Sequence, residues 1–281
     1  MNWSEFPDLA AVILLACVFA YISRRRPTRI SRIWLVGWLM ILLHFAAFLF
    51  TKMPGIWGTL AEIGGLIALA WGGTLFMWAS VPNRKENSIG WMLVALLGSI
   101  ALYISLLASG PAPDWALNLA ASLFGLLPLA VALTAMRNSD HSLRWVNVIQ
   151  YLPLSVFLLI VQNRPRNGAA LALNALLFTV YFGCCIHFWR AYRRATAGRL
   201  ITIAGFLAWA LVFVVAPLMT VLWPAVRIQS QVWDLPKLGY YVVAVGMILM
   251  LLEDQVENDA EAEGVTLSLL EDQIQHTKNP N

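Results

Sequence analysis

Polar positions along this chain are bunched rather than spread, and nine almost purely apolar stretches run between the bunches: 6–22, 33–50, 56–79, 89–108, 115–136, 145–161, 169–189, 200–223 and 238–252. Each is near the length an α-helix needs to cross a hydrocarbon layer of roughly 30 Å, the last being the shortest. Turn signals fall between the runs: Arg26-Pro27, Met53-Pro54-Gly55, Val81-Pro82-Asn83, Gly110-Pro111, Arg164-Pro165 and Trp223-Pro224. The pattern predicts an all-α, polytopic transmembrane helix bundle of about nine spans over residues 1–252. After Leu252 the sequence turns acidic with Glu253, Asp254, Glu257, Asp259, Glu261 and Glu263, so 253–281 is expected to be a cytoplasmic tail or linker helix.

Composition agrees, with 60% apolar and 12% charged residues, where a soluble domain carries about a quarter charged. Alternate loops differ in basic content. One set holds Arg24, Arg25, Arg26, Arg29, Arg32, Arg84, Lys85, Arg137, Arg144, Arg190, Arg193, Arg194 and Arg199; the other holds only Lys52, Arg164, Arg166, Arg227 and Lys237. By the positive-inside rule the first set is cytoplasmic, which puts the N-terminus outside and the C-terminus inside a bacterial inner membrane. An eight-span arrangement that leaves 238–252 on the surface would put the tail outside. Trp3, Trp57, Trp115, Trp223 and Trp233 are expected at the outer boundary and Trp34, Trp78, Trp91, Trp145 and Trp189 at the inner one. Trp71 and Trp209 fall mid-span, where they fill space between helices or line a cavity. The net charge of +4 sits in these loop clusters, so no nucleic-acid partner is expected; the lipid bilayer is the partner. The first ten residues hold Glu5 and Asp8 but no Lys or Arg, so they lack a signal-peptide n-region and the first helix is expected to stay.

Candidate chemistry is sparse. Glu62 is the only acidic side chain well inside an apolar run, and a carboxylate there needs a partner or a proton. His44 and Glu62 each stand nine residues from Met53, so two antiparallel helices of even register would hold them at one depth. Together they are the candidate ligand-binding residues or a proton-sensitive switch. The plainer alternative is a polar contact that fixes register, or a Glu62 that reaches the interface. His187 lies beside Cys184 and Cys185 without spaced partners and reads as an interfacial histidine, not a metal or haem ligand. The cysteines, Cys17 included, read as small packing residues. Ala61 and Gly65, and Gly64, Ala68 and Gly72, form small-residue stripes that suit close packing inside one bundle better than a dimer or gating face. Pro128, Pro153 and Pro217 predict kinks, and Asn118 and Asn174 are candidates for hydrogen bonds between helices. No protease, hydrolase, P-loop or dinucleotide motif is present, so no catalytic residue, metal or cofactor is expected.

One resemblance adds to this. Val232-Trp233-Asp234-Leu235-Pro236-Lys237, then Ala244-Val245-Gly246-Met247-Ile248-Leu249 and Leu251-Leu252-Glu253-Asp254-Gln255, resembles the last span and exit helix of bacterial membrane sensors fused to diguanylate cyclase (GGDEF), PAS or histidine-kinase domains. The near repeat Leu269-Leu270-Glu271-Asp272-Gln273-Ile274 is similar to the helix that leads into a GGDEF domain; its offset of 18 residues equals five helical turns. The resemblance implies a sensory input module whose last span passes a shift to a cytoplasmic signalling protein, with a homodimer as the assembly it suits. No GGDEF signature, phosphoacceptor histidine box or nucleotide motif occurs in the 281 residues, so no cyclase or kinase activity is carried over. The rival class is a small-solute transporter or channel subunit.

Overall fold

In hydrocarbon a lone apolar segment satisfies its backbone hydrogen bonds only as a helix, and every one of the nine apolar runs is helical. The structure, a computed structural model, describes residues 6–25, 27–80, 87–109, 112–134, 141–162, 167–191, 196–222, 238–256 and 260. The helices are α1 (Phe6–Arg25), α2 (Arg29–Phe48), α3 (Ile56–Ala79), α4 (Asn87–Ala108), α5 (Asp114–Thr134), α6 (His141–Val161), α7 (Gly168–Ala191) and α8 (Ala197–Leu222), with α9 (Leu238–Val256) after them. No strand occurs among the described residues. Seven of the helices are long and apolar enough to cross a membrane, while Asp114–Ala130 and Val146–Val161 are shorter apolar segments of α5 and α6. The chain is a multi-pass, all-helical membrane bundle.

Local chemistry sets the helix ends. The Thr28 hydroxyl caps α2 by accepting from the Ser31 N–H at 3.1 Å, and the Ser31 hydroxyl donates back to the Thr28 carbonyl at 3.0 Å. Between α2 and α3 the chain turns through Gly55 at φ 75°, a left-handed conformation that favours glycine. Gly58 then lies so near the Met53 carbonyl that a side chain would collide with it. Helix α9 runs past Leu252 to Val256 and carries Glu253 within it. The acidic repeat at 269–274 and the Val232–Lys237 stretch lie outside the described residues.

Helices α3 and α7 form a shared partition. The first packs on α2, α4 and α7, the second on α3, α6 and α8, while α5 joins α4 to α6 and α1 leans on α2. Gly73 lets the partition close, since a Cβ there would run into Val180. The Tyr181 hydroxyl donates to the Leu69 carbonyl at 3.0 Å and the Cys184 thiol to the Gly73 carbonyl at 3.2 Å. On one side of it an aromatic core links α1, α2, α3, α7 and α8 through Phe19, Trp38, Phe76, Phe206, Phe188 and Trp34. Gly65 and Gly72 sit against α2 and serve packing within the bundle, whereas Gly64 faces open space.

Tryptophan placement needs one correction. Trp34 is not an interfacial indole: it is 1% exposed and stacked on Phe188. Trp57, Trp91, Trp115 and Trp189 do stand on the outer surface of the bundle. Trp209 fills space between helices against Tyr181 at 4.1 Å, and Trp71 ties α3 to α4 by donating Nε1–H to the Leu97 carbonyl at 2.9 Å. The side chains of Trp3, Trp145, Trp223 and Trp233 lie outside the described residues.

Candidate functional site

The two residues singled out from sequence are brought near one helix pair but not together. The His44 ring nitrogen Nδ1 lies 2.8 Å from the Gly65 carbonyl, and no hydrogen bond or ion pair joins it to Glu62 among the described residues. Glu62 is exposed on the outer face of α3. The even-register assumption fails because the turn is lopsided: α3 starts with Gly58 folded back on Thr51 and Met53, and Gly65 ends up opposite His44, Ala47 and Phe48. Glu62 is therefore about one turn away from the level of His44. Lacking a Cβ, Gly65 allows the imidazole to reach backbone, and the bond ties α2 to α3.

His187 is buried, not interfacial, and its Nε2 lies 3.1 Å from the Asn147 side-chain oxygen, linking α7 to α6. No group of three or more His, Cys, Asp or Glu suited to a metal occurs among the described residues. Asn118 makes the expected link between helices: the Gln162 amide donates to it at 2.7 Å, and the Tyr103 hydroxyl donates to Gln162 at 3.1 Å, joining α4, α5 and the end of α6. Asn174 does not; its Nδ2 donates to the Ala170 carbonyl of its own helix at 2.8 Å, and no partner is present at its oxygen.

Sequence reading missed two features that share α8. The first is a cavity of about 850 Å³ along α7, walled by α6 and α8, which both pack on α7 and stand apart from each other. Its lining follows one face of each helix: Val146, Ile149, Gln150, Pro153, Leu154 and Phe157 on α6, then Leu171 to Ile186 at intervals of three and four on α7, and Phe213, Val214, Pro217 and Leu218 on α8. On the opposing walls, Pro153 and Pro217 lie inside their helices and each lacks the N–H that a helical hydrogen bond would use. The size is that of a ligand pocket. Gln150 is held at the cavity wall by donating Nε2–H to the Thr179 carbonyl at 2.8 Å, over Gly183, whose missing Cβ leaves room for the amide.

The second is the seam between α8 and α9. Gly198, Thr202, Gly205 and Trp209 meet Met250, Gly246, Val243 and Gly239 in antiparallel order. Both sets step by four, three and four residues, the spacing that keeps one helix face turned to its partner. A Cβ at Gly239 would come within 3.0 Å of the Trp209 backbone, and one at Gly205 within 2.7 Å of the Val243 amide. At the α8 start the Thr196 hydroxyl accepts from the Arg199 N–H at 3.3 Å, and Glu253 of α9 accepts from the Gly198 N–H at 3.1 Å. A carboxylate is favoured at this terminus, where helix N–H groups lack internal partners. The signal was present in the sequence as glycines seven apart at 198 and 205 and at 239 and 246. Tyr240 then anchors α9 to the other side of the bundle, ring against Phe45 at 5.3 Å and hydroxyl on the Asp8 carboxylate at 3.4 Å.

No family model matches this chain, and no curated protein or solved structure shows significant similarity to it, so any functional reading rests on this geometry and on the sequence.

Proposed function

We propose that the chain is a membrane-embedded sensory input module that crosses a bacterial inner membrane nine times, N-terminus outside. It passes a conformational change through α9 to a cytoplasmic signalling partner. The α8–α9 seam carries this reading. A helix whose glycines are filled by its neighbour over its whole length moves with that neighbour, so a displacement of α8 reaches the α9 end at Glu253. The loop charges support the orientation. The scarcity of mid-bundle polar side chains favours a sensor over a solute pathway, because a pathway needs a chain of polar groups.

The test uses the full chain fused through Asn281 to a dimerisation-dependent reporter enzyme in the membrane. Gly246→Leu drives a side chain into Thr202 and is expected to change reporter output several-fold at unchanged membrane level. Output that stays level for both Gly246→Leu and Gly205→Leu, or selective solute flux through the purified protein in liposomes, overturns the reading.

A further inference from the structure

We infer that the groove along α7 between α6 and α8 binds a neutral, elongated lipophilic molecule that carries a hydroxyl or amide N–H. This inference deepens the sensory reading by naming the class of stimulus. Three observations lead to it.

Shape comes first. The lining runs from Leu171 to Ile186 on α7, fifteen helical rises or roughly 22 Å, so the groove is long as well as roomy. Three helices wall the half nearer the start of α7; only α6 and α7 continue toward Val146 and Ile186. An elongated body fits such a taper. The second observation is the surface: the walls are almost wholly hydrocarbon, with Phe178 and Phe182 stacked at 5.3 Å along the floor. That surface has no use for a charged or strongly hydrated ligand.

The third observation fixes the polar end of the ligand. Leftover hydrogen-bonding capacity in the groove is concentrated at the Asn174 amide, which a hydroxyl can meet by both donating and accepting. Asn174 spends one N–H on the Ala170 carbonyl and leaves its oxygen and its second N–H without a protein partner, whereas Gln150 is spent on Thr179 and its oxygen is too deeply buried for an occupant to reach. The Ala170 carbonyl fixes which end of the Asn174 amide is oxygen. Pro153 and Pro217 also withhold the N–H groups that the carbonyls of the lining residues Ile149 and Phe213 would receive in an unbroken helix. An unmet acceptor in hydrocarbon is costly, so an occupant that donates a hydrogen recovers that cost where an alkane chain cannot. Asn174 lies on the second turn of α7, below the helix start at Gly168. A charged phospholipid headgroup would be expensive at that depth, whereas a neutral hydroxyl or amide is not.

The test places the full chain in phosphatidylcholine nanodiscs and photolabels it with diazirine-bearing hexadecanol or with the methyl ether of the same probe. The expected result is saturable alcohol labelling on the groove faces of α6, α7 and α8, exceeding ether labelling by several-fold up to about tenfold. Asn174→Leu brings alcohol labelling down to the ether level, and Ala175→Trp, which fills the groove, removes saturable labelling by both probes. Helix content and unfolding of each variant are measured alongside. Non-saturable labelling spread evenly over exposed residues such as Leu14 and Leu43, equal labelling by the two probes, or an alcohol preference that survives Asn174→Leu in a folded protein overturns the inference. Saturable, Asn174-dependent labelling that leaves the reporter fusion silent supports the site and counts against the sensory reading. Reporter responses to the seam variants alongside unsaturable labelling do the reverse.

Discussion

The two sides of α8 are built on opposite principles. Toward α9 it presents Gly198, Thr202 and Gly205, and the neighbouring backbone comes so near that added Cβ atoms would collide. Toward α6 it presents Phe213, Val214, Pro217 and Leu218, and the neighbour stands off far enough to leave a cavity. Lipid tails are as apolar as leucine, so burial of apolar surface does not drive helix association inside a bilayer; fit and hydrogen bonds do. Small residues close one side, and large residues with prolines hold the other open. A helix closed on one flank and open on the other is suited to carry a displacement from a groove to a partner helix.

That contrast can be broken most severely at Gly246. Leucine there meets Thr202 and is expected to destabilise the bundle by about 3 kcal/mol, read from unfolding in mixed detergent micelles. If Gly246→Leu unfolds with the wild type, the seam is not closed. Next in size is Gln162→Leu, which strands the Tyr103 hydroxyl and Asn118 in a buried network; the same measurement should show a loss of about 2 kcal/mol. His44→Leu removes the bond that ties α2 to the Gly65 carbonyl and is expected to cost about 1 kcal/mol. The smallest effect belongs to the open surfaces: Glu62→Gln should leave stability within about 0.5 kcal/mol of wild type. A loss at Glu62 equal to that at His44, with no further loss in the double variant, would restore the pairing that the contacts argue against.

How much of this was legible in the sequence depends on whether a feature is local. Nine apolar runs gave nine helices because run length and self-satisfied backbone decide that question without reference to neighbours. The packing role of Gly65 and Gly72, on neighbouring small-residue stripes, was also readable, although Gly64 of the second stripe faces open space. The level of His44 against Glu62 was not, because it depends on how the Met53-Pro54-Gly55 turn folds back on Gly58, and counting residues from the turn centre assumes symmetry. Trp34 was misplaced for a related reason: an indole near a helix end is drawn to the interface unless another helix covers it, and here Phe188 of α7 does. The groove was hidden for the same cause. Pro153 and Pro217 are plain in the sequence, but nothing local says that both flank α7.

The central claim is that α9 is seated on α8 through the glycine seam. The most direct measurement is disulfide trapping in native membranes with Thr202→Cys and Met250→Cys, whose native side chains touch across the seam at 3.6 Å, in a background lacking Cys17, Cys184 and Cys185. A protease site between α8 and α9 separates the two halves unless the bond has formed. Near-complete linkage on mild oxidation is predicted for this pair, with little for Thr202→Cys paired with Val245→Cys, whose side chain is exposed on a different face of α9. Equal, low linkage for both pairs would contradict the account.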